Sequence, residues 1–158
     1  MTFRPILFAL LLTLPTFAQD PTTPDQRKHW AEVAHKFEAA PLDGDALHDA
    51  RFTVAEIATS HDFHPAACEA FYTEFNESKY LYHAQIRLLY LLGVTAYQVE
   101  AGKTDTEGAN LYALHSVVKG YTAILHDEPK ETDKQLDQLA KSDAAGKLSD
   151  VIKKQGCK

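Results

Sequence analysis

The sequence predicts an all-α single domain, a bundle or an array of helical hairpins with five to seven helices. Three observations carry that expectation. Apolar residues recur at spacings of three and four along most of the chain. Helix-starting and helix-stopping residues fall between those stripes. No stretch alternates apolar and polar side chains over five residues with β-branched enrichment, so no strand is expected.

Each element follows from its own signals. Thr23-Pro24-Asp25-Gln26 reads as a helix start, with Thr23 as cap and Pro24 at the first helical position. Trp30, Val33, Phe37 and Ala40 form one stripe, and Pro41 stops the helix. A second helix begins near Asp43, carries Leu47, Ala50, Val54 and Ile57 inward, and ends at Ser60-His61-Asp62. Pro65 is expected to open a short third helix with Cys68, Phe71, Tyr72 and Phe75 facing the core. A fourth, about Ser78–Ala101, is apolar on two faces and is therefore expected at the centre, with Gly102 as its left-handed cap. Thr104-Asp105-Thr106-Glu107 matches a capping box for the fifth, whose core side is Leu111, Leu114, Val118, Tyr121 and Leu125. Leu136, Leu139 and Ala140 mark a sixth; Leu148, Val151 and Ile152 mark a seventh that delivers Cys157.

The first eighteen residues have a different character. Arg4 supplies a positive charge, Pro5–Phe17 are almost wholly apolar, and Thr16 and Ala18 stand at −3 and −1 of a cut before Gln19. That order is a secretory signal peptide, and its apolar run is shorter than the roughly 20 residues that span a bilayer. The expected organisation is a signal peptide over 1–18, a frayed leader over 19–22 and one helical domain over 23–158. The protein is thus expected to be secreted or periplasmic.

Of 158 residues, the 18 of the signal peptide leave 140, enough for one ordinary core. Loss of Arg4 leaves 15 basic against 22 acidic residues, a formal charge of −7. No basic face is visible, so neither nucleic acid nor an anionic membrane surface is an expected partner. After the signal, no apolar run reaches transmembrane length. The two cysteines, Cys68 and Cys157, lie 89 positions apart in the exported part. An oxidising compartment favours one bridge between them over free thiols or an intermolecular bond. There is no CxxC and no CxxCH.

Chemistry-bearing residues are sparse. His61-Asp62-Phe63-His64 offers two imidazoles and a carboxylate, a zinc set if a further protein ligand arrived from elsewhere, such as His83 or His115. The same residues before Pro65 equally suit a plain interhelical loop, and neither HExxH nor ExxH occurs. His29, His35 and His126 are expected to be exposed. Tyr72, Tyr82, Tyr90, Tyr97, Tyr112 and Tyr121 cluster on the third, fourth and fifth helices. Helical spacing makes most of them core; the sharper reading is a tyrosine-lined groove for a ligand or peptide. Glu56, Glu69, Glu74 and Glu77 are not separable from a solvated helical face, and no GxSxG, P-loop or cysteine–histidine signature occurs. No cofactor is implied. The functional expectation is an exported binding protein with a protein or peptide partner; the alternative is a small metal-binding protein or metallo-enzyme built on His61, Asp62 and His64.

Tyr80, Tyr82 and Gln85, then Gly93, Ala96, Tyr97, Gln98 and Glu100, then Lys119-Gly120-Tyr121, Ile124-Leu125 and Pro129, and Gly146-Lys147-Leu148 before Cys157, resemble a loose group of small secreted bacterial proteins of unknown function. The resemblance covers roughly residues 80–157 and implies an exported bacterial helical protein without an assigned activity. Tyr121 and Pro129 also keep the aromatic-to-proline spacing of a tetratricopeptide second helix, but no repeat of about 34 residues is present.

Overall fold

The computed structural model describes residues 21–157; the expected signal peptide and its cut before Gln19 lie outside the described residues. Within them the chain is all-α: α1 (Pro24–Ala39), α2 (Gly44–Thr59), α3 (Glu69–Glu77), α4 (His83–Ala101), α5 (Thr106–Asp127), α6 (Lys134–Ala144) and α7 (Leu148–Lys154), with no strand among the described residues.

Side-chain caps place most helix starts. Thr23 accepts from the Gln26 N–H at 3.1 Å, Asp43 from Ala46 at 2.8 Å, and Asp133 from both Gln135 and Leu136. α4 is the central helix, as its two apolar faces require. It packs most extensively on α5, then on α1, and also touches α2 and α3. The core between them holds Trp30, Phe37, Leu89, Tyr90, Leu114 and Ile124, all fully buried. The α6–α7 hairpin leans on the outer side of α5.

Three boundaries differ from expectation. α3 starts at Glu69 and not at Pro65, because the Cys68 N–H is drawn out of helical register by the side chains of Tyr90 and Asn110. Tyr72 consequently points outward and is 38% exposed. α4 starts at His83 and not at Ser78. The preceding residues form a turn closed by His83 N–H to the Tyr80 carbonyl (3.1 Å), which buries the Tyr80 ring. At α5 the cap is Asp105 and not Thr104. Its carboxylate accepts from the Gly108 N–H at 2.7 Å, stronger than a hydroxyl would manage.

Close approach of α4 and α5 depends on one glycine. A Cβ at Gly93 would stand 2.8 Å from the Ala113 Cα and 2.8 Å from the Ser116 Oγ, and backbone cannot yield as a side chain can. Gly93→Ala therefore forces the helices apart even though alanine favours helix by about 1 kcal/mol. We expect a net loss of about 1–3 kcal/mol, typical of an overpacked core, read as a lower Tm with helix content unchanged. A variant as stable as wild type would show that the two helices yield freely.

Candidate functional site

The outer helices are tied to the core at one buried polar node. Tyr90 on α4 and Asn110 on α5 are both wholly buried, and their side chains hydrogen-bond each other. The Cys68 N–H donates to the Tyr90 hydroxyl (2.8 Å) and to Asn110 Oδ1 (3.2 Å). Asn110 Nδ2 donates to the carbonyls of Thr106 (2.6 Å) and Ala66 (3.3 Å). Cys68 is bonded in turn to Cys157, their Cα atoms 5.6 Å apart. The tail reaches it through Gly156, whose φ of +75° suits glycine, and Cys157 is buried.

Between α3 and the α6–α7 hairpin this tie leaves a half-open cleft of about 500 Å³. Its apolar surface comes from Phe71 and Phe75 on α3, Leu136 and Leu139 on α6, and Val151 on α7. Lys134, Gln138 and Ser142 edge the α6 side, and Lys154 stands on α7. α3 packs against α4, whereas α7 packs against α5 and α6, so the two walls do not pack on each other. They are spanned by the disulfide and by the Gln155 side-chain amide, which donates to Glu74 at 2.7 Å. Burial raises the Glu74 carboxyl above its ordinary pKa.

None of the six tyrosines singled out from sequence borders this cleft or the three smaller ones, among the described residues. Tyr90 and Tyr121 lie in the core. The Tyr121 hydroxyl accepts from the Asp133 N–H (2.9 Å) and donates to Asp137 (2.7 Å), joining α5 to α6; burial is the main reason its pKa is pushed up to about 12. Tyr97 donates to Asp105 at 2.6 Å, steadying the α5 cap, and its ring meets Tyr112 at 6.1 Å. Tyr112 donates to Glu100 at 2.8 Å. Tyr82 packs edge-on against Tyr80. Tyr90, Tyr97, Tyr112 and Tyr121 thus each bond from one helix to another, and for the buried Tyr90 and Tyr121 a hydroxyl partner is required.

His61, Asp62 and His64 are not gathered into a metal-ligating group among the described residues. Asp62 is already engaged: it accepts from the Thr22 N–H (3.1 Å), the Thr22 hydroxyl (3.0 Å) and Arg27 (2.8 Å), which hold its carboxyl below the usual range. Arg27 also lies 5.2 Å over the Phe63 ring. His61 and His64 are exposed. The suggested further ligands are occupied, His83 facing the Tyr80 carbonyl and His115 the Asp143 carboxylate at 2.7 Å. No group of three metal-ligating side chains is assembled among the described residues. The loop instead holds Thr22 and the start of α1.

One cluster escaped sequence reasoning. Glu38 on α1 is 7% exposed and accepts from the Ser116 hydroxyl, with Lys119 at 3.3 Å and His35 at 3.6 Å. The other His35 nitrogen meets Glu100 at 2.6 Å, so α1, α4 and α5 share one ion network at their meeting point. Its sole sequence signal is that Ala31, Ala34 and Glu38 recur at three and four residues, a small-residue edge beside the main stripe. Ser116 is 1% exposed and borders none of the four clefts, so this serine–glutamate–histidine order offers no reachable nucleophile. The cluster clamps α1, α4 and α5 together.

No family model matches the chain, and no curated protein or solved structure matches it.

The clamp has a pH signature. The hydrogen bond to Glu100, opposed by burial and reinforced by both glutamate charges, raises the His35 pKa above its ordinary 6.5. A raised histidine contributes stability that is complete below 6.5 and is lost as pH rises through the folded value. The Tm difference between wild type and His35→Gln should therefore be largest at acid pH and shrink above neutrality. A difference independent of pH would show that His35 contributes packing alone.

Proposed function

We propose that this is an exported, non-catalytic binding protein whose binding surface is the cleft between α3 and the α6–α7 hairpin, with a protein or peptide as partner. The cleft itself is the observation that carries the reading. It is half open, has an apolar floor, and falls within the range of about 300–1,000 Å³ that holds small ligands and side-chain anchors. A groove beside helices, filled by apolar anchors, is a recurrent mode of peptide recognition.

The export proposal draws on the signal-like first eighteen residues, the resemblance of residues 80–157 to small secreted bacterial proteins, and a disulfide, which persists in oxidising compartments. No helix among the described residues is long and apolar enough to cross a membrane. N-terminal sequencing of exported protein should begin at or near Gln19; recovery of intact Met1 from the membrane fraction would contradict export by cleavage.

The binding reading has its own test. Val151 is only partly buried and lines the cleft, so Val151→Asp puts a charge on its floor at modest cost to the fold. A partner retained from the exported fraction by the wild type should be lost by Val151→Asp and kept by Tyr72→Ala, with all three proteins showing the same helical spectrum. Equal retention by Val151→Asp would move the binding surface elsewhere.

A further inference from the structure

We infer that the cleft receives an extended peptide segment in which a large apolar side chain stands beside a carboxylate. The inference rests on the reading of this cleft as a partner-binding surface and specifies the partner's chemistry.

Length comes first. The α6 edge runs from Lys134 to Ser142, eight helical steps of about 1.5 Å, or roughly 12 Å. An extended chain advances about 3.3 Å per residue, so the edge matches three or four residues. Along it the Gln138 side-chain amide can meet a peptide backbone, and the Ser142 hydroxyl, which donates to the Gln138 carbonyl at 2.9 Å, keeps its oxygen as an acceptor. The floor behind them, Phe71, Leu139 and Val151, has no use for a polar side chain.

Charge sets the second requirement. α6 and α7 form a hairpin, so Lys134 at the start of one and Lys154 at the end of the other border the same cleft. Neither ammonium has a carboxylate within 4 Å among the described residues, a state common to most of the chain's lysines, but these two are the ones that border the cleft. The nearby carboxylate, Glu74, is turned to Gln155, and burial disfavours its ionised form. On a chain of formal charge −6, this is a local positive site opening on an apolar floor. Complementarity then selects an apolar anchor with an acidic neighbour and rejects a basic one.

The test is a random-peptide phage library panned against the full-length exported protein, followed by fluorescence anisotropy with the selected peptides. Selected sequences should place Asp or Glu beside Leu or Phe. Their affinity should fall by about tenfold for Lys134→Gln with Lys154→Gln, a typical scale for losing close charge pairs. Panning against Lys134→Glu with Lys154→Glu should reverse the preference toward Lys and Arg. Both lysines are exposed, so both double variants should keep the wild-type helical spectrum and Tm. Peptides that lose binding to Val151→Asp but show no acidic bias, or whose bias does not reverse, would overturn this inference and leave the binding surface standing. Failure to select any peptide sensitive to Val151→Asp would overturn both.

Discussion

The arrangement of the outer helices depends on the buried contact of Tyr90, Asn110 and the backbone of Cys68. Two helices that already pack closely, α4 and α5, each contribute one fully buried polar side chain. The two side chains bond each other, and residues 66–68 cross over them and supply the remaining backbone partners. Leaving one such group unmet costs about 1–3 kcal/mol. The node therefore selects the path of the segment before α3, and with it the position of Cys68. The disulfide then carries that position to the far end of the chain.

The tail needs that help. α7 has only seven residues and offers Leu148, Val151 and Ile152 for burial, about 5–8 kcal/mol of gross transfer energy. Ordering it and its flanks costs on the order of 10 kcal/mol or more. The bridge restrains the unfolded chain by about 4–5 kcal/mol in the chain-entropy view, and in the folded protein it tethers the end of α7 directly to Cys68. Because the walls of the cleft belong to helices that do not pack on each other, the same bridge that docks α7 also keeps the cleft from closing or parting.

Much of this fold was legible because local signals and burial agree. Trp30, Val33 and Phe37 form a stripe, and all three are buried. The caps at Thr23 and Asp43 are used as their spacing suggests. Sequence reading failed where a distant partner overrode a local signal. Pro65 looked like a helix start, but Tyr90 and Asn110, far along the chain, take the amide that a helix would have used. The tyrosine partners were equally illegible: Tyr90, Tyr97, Tyr112 and Tyr121 all bond to other parts of the chain. The cleft was invisible because it is a space between α3 and α7, and spacing within one helix says nothing about a gap between two. The Glu38 network was hidden for a related reason: burial of a carboxylate follows from what α5 brings to it, Ser116 and Lys119.

Native-state hydrogen exchange on oxidised wild type and Cys157→Ser tests the central claim most directly. If the disulfide joins a self-sufficient core to a dependent rim, Cys157→Ser should lose protection in α7 and at the adjoining edge of α3. Protection in α1, α4 and α5 should be unchanged. A loss spread evenly over all helices, or no loss in α7, would contradict the account.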